Sequence, residues 1–156
     1  MKHITVIIAL AATLLLCCQC GTSSQLRKAQ KGAKTAKYTM LDNYFVRNDI
    51  DCSRQQRLVL NSEEEFNDYF GPAALMGSRP TDINWKTQYV IAILLPETNR
   101  PTMVTPLEVK RNDHSVIFKY QVNRGSKTSY TLVPFAAIAL DRPEAEQQVE
   151  HFFIEK

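Results

Sequence analysis

The sequence predicts an α+β domain that is mostly antiparallel β: a sandwich or roll of six to seven strands with one capped helix packed against it. Three stretches carry that prediction. Residues 89–95, YVIAILL, form an unbroken apolar run stopped by Pro96, too short for a membrane span. Val90, Ile91 and Ile93 favour a strand buried on both faces over a buried helical segment. Residues 115–122 alternate, with Val116, Phe118, Tyr120 and Val122 on one side and Ile117, Lys119 and Gln121 on the other. Residues 62–70 read as a helix. Ser62 is its N-cap and Glu65 completes a capping box, Glu63 and Glu64 sit at the positive end of the helix dipole, and Phe66, Tyr69 and Phe70 share one face.

In chain order, residues 1–17 come first. Lys2 and His3 precede an apolar stretch, 4–16, that suits a signal peptide and is too short to span a bilayer comfortably. It ends in LLLCCQC, residues 14–20, which resembles a bacterial lipoprotein signal. Cys18 fits best as the lipidated residue, with Leu15 three before it and small Cys17 one before it. Cys17 would follow bulky Leu16, and Cys20 would follow Gln19; both stay as alternatives. Acyl chains on Cys18 would hold the protein on a membrane without a transmembrane helix.

Residues 18–37 are small, polar and basic and read as a flexible tether. Arg27, Lys28, Lys31, Lys34 and Lys37 could rest on anionic headgroups, at about 1 kcal/mol each near the surface. A plain soluble spacer is the equal alternative. Surface-exported lipoproteins of some bacteria carry an acidic signal after the lipidated cysteine. This segment holds no acid, so the expected location is the cell envelope, on the outer membrane facing the periplasm.

Residues 38–156 are the expected single globular β-rich domain, about 119 residues, enough to bury a core. All 16 acidic residues lie there with 13 of the 19 basic ones, a net charge of −3. The basic balance of the whole chain therefore does not argue for nucleic acid. Residues 38–46 should be the first strand and 48–51 a turn. After the helix, Gly71 and Pro72 should end it. Trp85, the single tryptophan, precedes the apolar strand as a core anchor or, on the sharper reading, as part of a binding surface. Residues 96–101 read as a hairpin-like loop and 102–110 as a strand that Pro106 confines to an edge or a bulge. Residues 111–114 and 123–127 are turns. Residues 130–140 are a strand interrupted by Pro134, and 149–155 a last strand around Phe152 and Ile154.

Chemistry is sparse. His114 and His151 are the histidines outside the signal segment, and neither neighbours a nucleophile or an acid in a familiar order. The cysteine cluster has no partners at zinc spacing, so no metal or cofactor is expected. A Cys20–Cys52 disulfide is allowed in an oxidising envelope, but Cys52 as a plain small residue near a strand is favoured.

The order SEEEFNDYFG, loop, TDINWKTQYVIAILLPETNRPTMVTPLEVK, alternating strand, SYTLVPFAAIALDR resembles uncharacterised envelope lipoproteins. More distantly it is similar to the PrcB-like C-terminal domain family, named for a protease-complex subunit. The resemblance covers roughly residues 58–142, with Asp82 and Lys86 near the family's D-x-x-K places. Arg100-Pro101-Thr102-Met103 stands where such domains commonly carry a Pro-Thr-Gly-Gly-Tyr-like loop. The resemblance implies a non-enzymatic, β-rich partner of an envelope protein, a protease among the candidates. The expectation is thus a lipid-anchored binding or accessory module with no catalytic activity. Its membrane partner is met through the anchor, its main partner is a protein, and a glycan or small ligand stays open. Trp85, Arg100 and Thr102 are the expected contact residues. The alternatives are an envelope hydrolase or ligand-processing enzyme using His114 or His151, and a structural lipoprotein.

Overall fold

A computed structural model describes residues 21–73, 77–143 and 149–156. The signal segment and the candidate lipidation sites Cys17, Cys18 and Cys20 lie outside the described residues. The described chain is mostly β, with two short helices and mainly antiparallel sheets packed together.

The elements run α1 (Gly21–Gln30), β1 (Lys34–Thr35), β2 (Thr39–Met40), β3 (Tyr44–Val46), β4 (Gln56–Leu60), α2 (Glu63–Tyr69) and β5 (Phe70–Pro72), then β6 (Gln88–Leu94), β7 (Thr102–Arg111), β8 (Ser115–Arg124), β9 (Phe135–Asp141) and β10 (Glu150–Glu155). They form two four-stranded sheets, in the orders β1-β7-β8-β10 and β2-β9-β6-β4, and a small β3-β5 ribbon.

β6 lies inside the second sheet and is buried on both faces, as its apolar run requires. Tyr89, Ile91, Ile93 and Leu95 meet Val109, Phe118 and Tyr120 of the facing sheet in the main core. The alternate residues Val90, Ala92 and Leu94 point the other way, into a second core under α2 and the ribbon. β9 repeats the split, with Ala136, Ile138 and Leu140 inward and Ala137 and Ala139 outward. Period-two geometry sends successive side chains to opposite faces, so a strand covered on both sides must be apolar at every position.

The capping box is present in a shifted form. Ser62 Oγ accepts the Glu65 N–H at 3.2 Å, while Glu65 Oε2 accepts the backbone N–H of Asn61, one residue before the cap. Phe66 and Phe70 are buried and stacked at 4.8 Å.

Several expectations are corrected. More strands form among the described residues than six or seven, because short strands (β1, β2, β3 and β5) add to the long ones. β10 runs parallel to β8, and Phe153 turns inward against Phe118, rather than Phe152 or Ile154. Gly71-Pro72 does not simply end α2. The chain passes directly from Tyr69 into β5, which pairs with β3. The 96–101 loop is no hairpin, since β6 and β7 lie in different sheets. Residues 38–46 split into β2 and β3 at Asn43, whose φ is 63°. β9 begins only after Pro134, and residues 130–134 are held to the chain that follows β6 by the Thr98↔Leu132 bridge and the Leu95 N–H to Pro134 O bond.

Residues 21–37 are not a tether. α1 packs on the outer face of β8, with Ala29 buried. Asn112 Nδ2 donates to the Ala29 and Lys31 carbonyls at 2.9 and 3.2 Å, satisfying groups the helix end leaves open. β1 pairs with β7, and the Ala36 N–H donates to Val109 O at 2.8 Å. Pro106 marks a bulge between Pro106 and Glu108, as expected.

Candidate functional site

A cleft of about 820 Å³ opens at one end of the second sheet. Its walls are β3, the 50–53 loop, Pro96–Glu97 and the 131–135 segment. Backbone bonds tie these walls together. The Glu97 N–H donates to Cys52 O at 3.0 Å, and Thr98 and Leu132 exchange N–H···O bonds at 2.9 Å each. The Thr131 hydroxyl donates to Glu97 Oε1.

Hydrogen-bond parity explains why the cleft is there. β2 pairs with β9 through Thr39↔Ala139 and Met40↔Ile138, and the Leu41 N–H still reaches Ala137 O at 3.0 Å. Asn43 then turns the chain away with a left-handed φ, and its carbonyl accepts the Ala73 N–H at 2.8 Å. In an antiparallel ladder alternate residues direct their polar groups to opposite sides. Pro134 O accepts from Leu95 N–H, so the even-numbered residues face β6. Ala137 and Ala139 face β2, and Phe135, Val133 and Thr131 therefore point their backbone groups into the space β2 has left. Across the cleft the parity repeats. The Arg47 N–H donates to Tyr69 O, so residues 43, 45 and 47 face β5 while Tyr44 and Val46 direct their backbone groups toward the cleft.

The polar side chains of the cleft do not form a reacting set. Burial is the main cause that pushes the Cys52 thiol pKa up, with Asp51 and Glu97 adding to it. At neutral pH it is a buried thiol and not a thiolate nucleophile. Asp51 is held below the usual carboxylate range by the Ser53 N–H, which it accepts at 2.9 Å. Arg47 and Asp49 form a two-bond ion pair at 3.0 and 2.9 Å. No metal-binding group of three His, Cys, Asp or Glu occurs among the described residues, and no buried side-chain polar atom lacks a partner there.

The expected contact residues fall in separate places. Trp85 packs beside Phe66, 5.6 Å between rings, before the start of β6. Arg100 and Thr102 lie past its end. A strand of this length separates them by roughly 20 Å, so no small ligand can touch all three. Arg100 is exposed, whereas the Thr102 hydroxyl is turned to Arg100 O at 2.8 Å. The loop carrying them is stitched to the 125–128 turn by the Gly125 N–H to Pro101 O and Thr128 N–H to Asn99 O bonds, 2.7 Å each.

The two histidines do not meet either. His151 lies 3.3 Å from the Tyr89 hydroxyl on the core side, and burial lowers its pKa. His114 lines a separate pocket of about 420 Å³ under α1, with Lys28, Lys31 and Glu150. Ser115 between them is buried, its hydroxyl within 3.2 Å of Ala29 O and 2.9 Å of Asn112 Oδ1. The cleft itself escaped the sequence reading. Its local signals were Pro134 and the polar 48–51 turn, but the vacancy follows from where β2 leaves β9. No family model, curated protein or solved structure matches the chain.

Proposed function

We propose that this protein is a lipid-anchored accessory module of the bacterial envelope that binds a partner protein in the cleft between β3 and the 131–135 segment, without catalysing a reaction. The observation that carries the reading is the 820 Å³ cleft, its walls held in place by backbone bonds. The Cys18 signal supports the anchor, and the absence of a helix long and apolar enough to cross a membrane among the described residues is compatible with it. The likeness of residues 58–142 to PrcB-like domains supports a protein partner, a protease among the candidates. The protonated Cys52 and the histidines on opposite sides of the first sheet support a binding role over a hydrolytic one.

The test is site-directed photo-crosslinking of the full lipidated protein in its native membrane. A crosslinker at Glu97 should capture one dominant protein that a crosslinker at exposed Lys86 does not. Equal capture at both positions, or none at either, would overturn the reading. Cys18→Ala should move the protein out of the membrane fraction.

A further inference from the structure

The parity of the cleft walls narrows what can fill it. Thr131, Val133 and Phe135 direct backbone N–H and C=O groups to one side, and Tyr44 and Val46 face them from the other. A single extended chain offers the complementary alternation to such an edge; a compact ligand does not. Five residues of edge match about 16 Å of strand. The charge of the lining is lopsided. Arg47 is neutralised by Asp49, while Asp51 and Glu97 flank Cys52 as carboxylates. Ile50, Val133 and Phe135 provide apolar surface between them.

We propose that the cleft takes an extended segment of a partner polypeptide as an added strand on the β9 edge vacated by β2, with a lysine or arginine of that segment directed at Asp51 and Glu97. This rests on the accessory-module reading and specifies how the partner is held. Main-chain bonds to Thr131, Val133 and Phe135 supply affinity with little dependence on sequence. The two carboxylates and the apolar floor select alternate side chains of the incoming strand.

The experiment uses the full lipidated chain in detergent micelles. Decapeptides are selected from a random displayed library, synthesised, and added while residue-resolved amide exchange is followed. The selected peptides should be rich in Lys or Arg. At saturation the Thr131, Val133 and Phe135 amides should exchange at least about tenfold more slowly, as expected for newly formed backbone bonds, while Leu132 and Ala136 change little because their N–H groups already face Thr98 and β6, respectively. Replacing the peptide's basic residues with glutamate should weaken binding about tenfold, and Asp51→Asn with Glu97→Gln should remove most of that difference. N-methylating alternate peptide residues should abolish binding in one register only.

Failure to select any peptide, or binding that leaves those three amides unchanged, overturns strand addition. Protection that grows with protein concentration in the absence of peptide assigns the edge to a second copy of this chain and likewise overturns it. Crosslinking at Glu97 in the native membrane without this exchange pattern removes strand addition and leaves the accessory reading standing. The converse removes the accessory reading alone.

Discussion

Asn43 stands in register opposite Phe135, and the two do not pair. The register of β2 on β9 continues through Leu41, so residue 43 would be the next partner of residue 135. Asn43 instead adopts φ 63°, gives its carbonyl to Ala73 N–H and donates its side-chain amide to Arg79 O at 2.9 Å. One residue thus ends a strand of the second sheet, starts the ribbon and opens the cleft.

Asn43→Gly should be nearly neutral, since glycine keeps the left-handed backbone and loses one exposed hydrogen bond. Asn43→Ala should cost about 1–2 kcal/mol, because it loses the bond and strains the backbone. Urea unfolding of both variants checks this. Equal stability of the two would mean that the turn does not depend on the conformation of residue 43.

Removing residues 21–37 should destabilise the domain. It strips the cover from Ser115, takes β1 from the β7 edge and leaves Asn112 without the Ala29 and Lys31 carbonyls. The loss should be at least about 2 kcal/mol, the scale of one buried side chain newly exposed plus broken hydrogen bonds. A chain beginning at Tyr38 that unfolds at the same urea concentration as one beginning at Gly21 would restore the tether.

His151 should make the fold acid-sensitive. Burial is the chief cause holding its pKa below the ordinary value, and the backbone at Val149 offsets part of that. Between the lowered folded value and the ordinary one near 6.5 the unfolded chain binds more protons, so stability falls as pH drops through that interval and levels off below it. His151→Gln keeps a partner for the Tyr89 hydroxyl and does not titrate. Its stability should therefore fall less between pH 7.5 and pH 5, acids elsewhere contributing equally to both proteins. Parallel pH profiles would exclude His151 as the source.

Two substitutions should separate local from shared stability. Ser62→Ala removes the α2 cap and should cost about 1 kcal/mol. Ile91→Ala opens a cavity between the two sheets and should cost about 2–5 kcal/mol. Calorimetric melting temperatures in that order check both. A reversed order would mean that the sheet interior relaxes around the missing side chain.

What could be read from the sequence was whatever a local pattern decides. The 89–95 run declared a strand buried on both faces, Ser62 and Glu65 declared the start of α2, and Pro106 declared the bulge. What could not be read depended on distant partners. α1 carries little apolar surface of its own and is completed by Asn112, more than eighty residues on. β1, β2, β3 and β5 are two or three residues long, too short for a period to show. The cleft is a relation between Asn43, β9 and β3, and no motif encodes it. Residue type and loop position single out Trp85, Arg100 and Thr102 but say nothing of the β6 length between them.

The ribbon is open on one side only. On β5 the Phe70 N–H is consumed by Phe66 O, and Pro72 has no N–H to offer. Phe70 and Pro72 are the residues whose backbone groups face away from β3, so that border presents carbonyls and no donors. Strand-on-strand aggregation needs both, and a border without donors is a poor template for it. With β5 blunted in this way, the ribbon can recruit a strand only along β3, so its capacity to associate is confined to the face that borders the cleft.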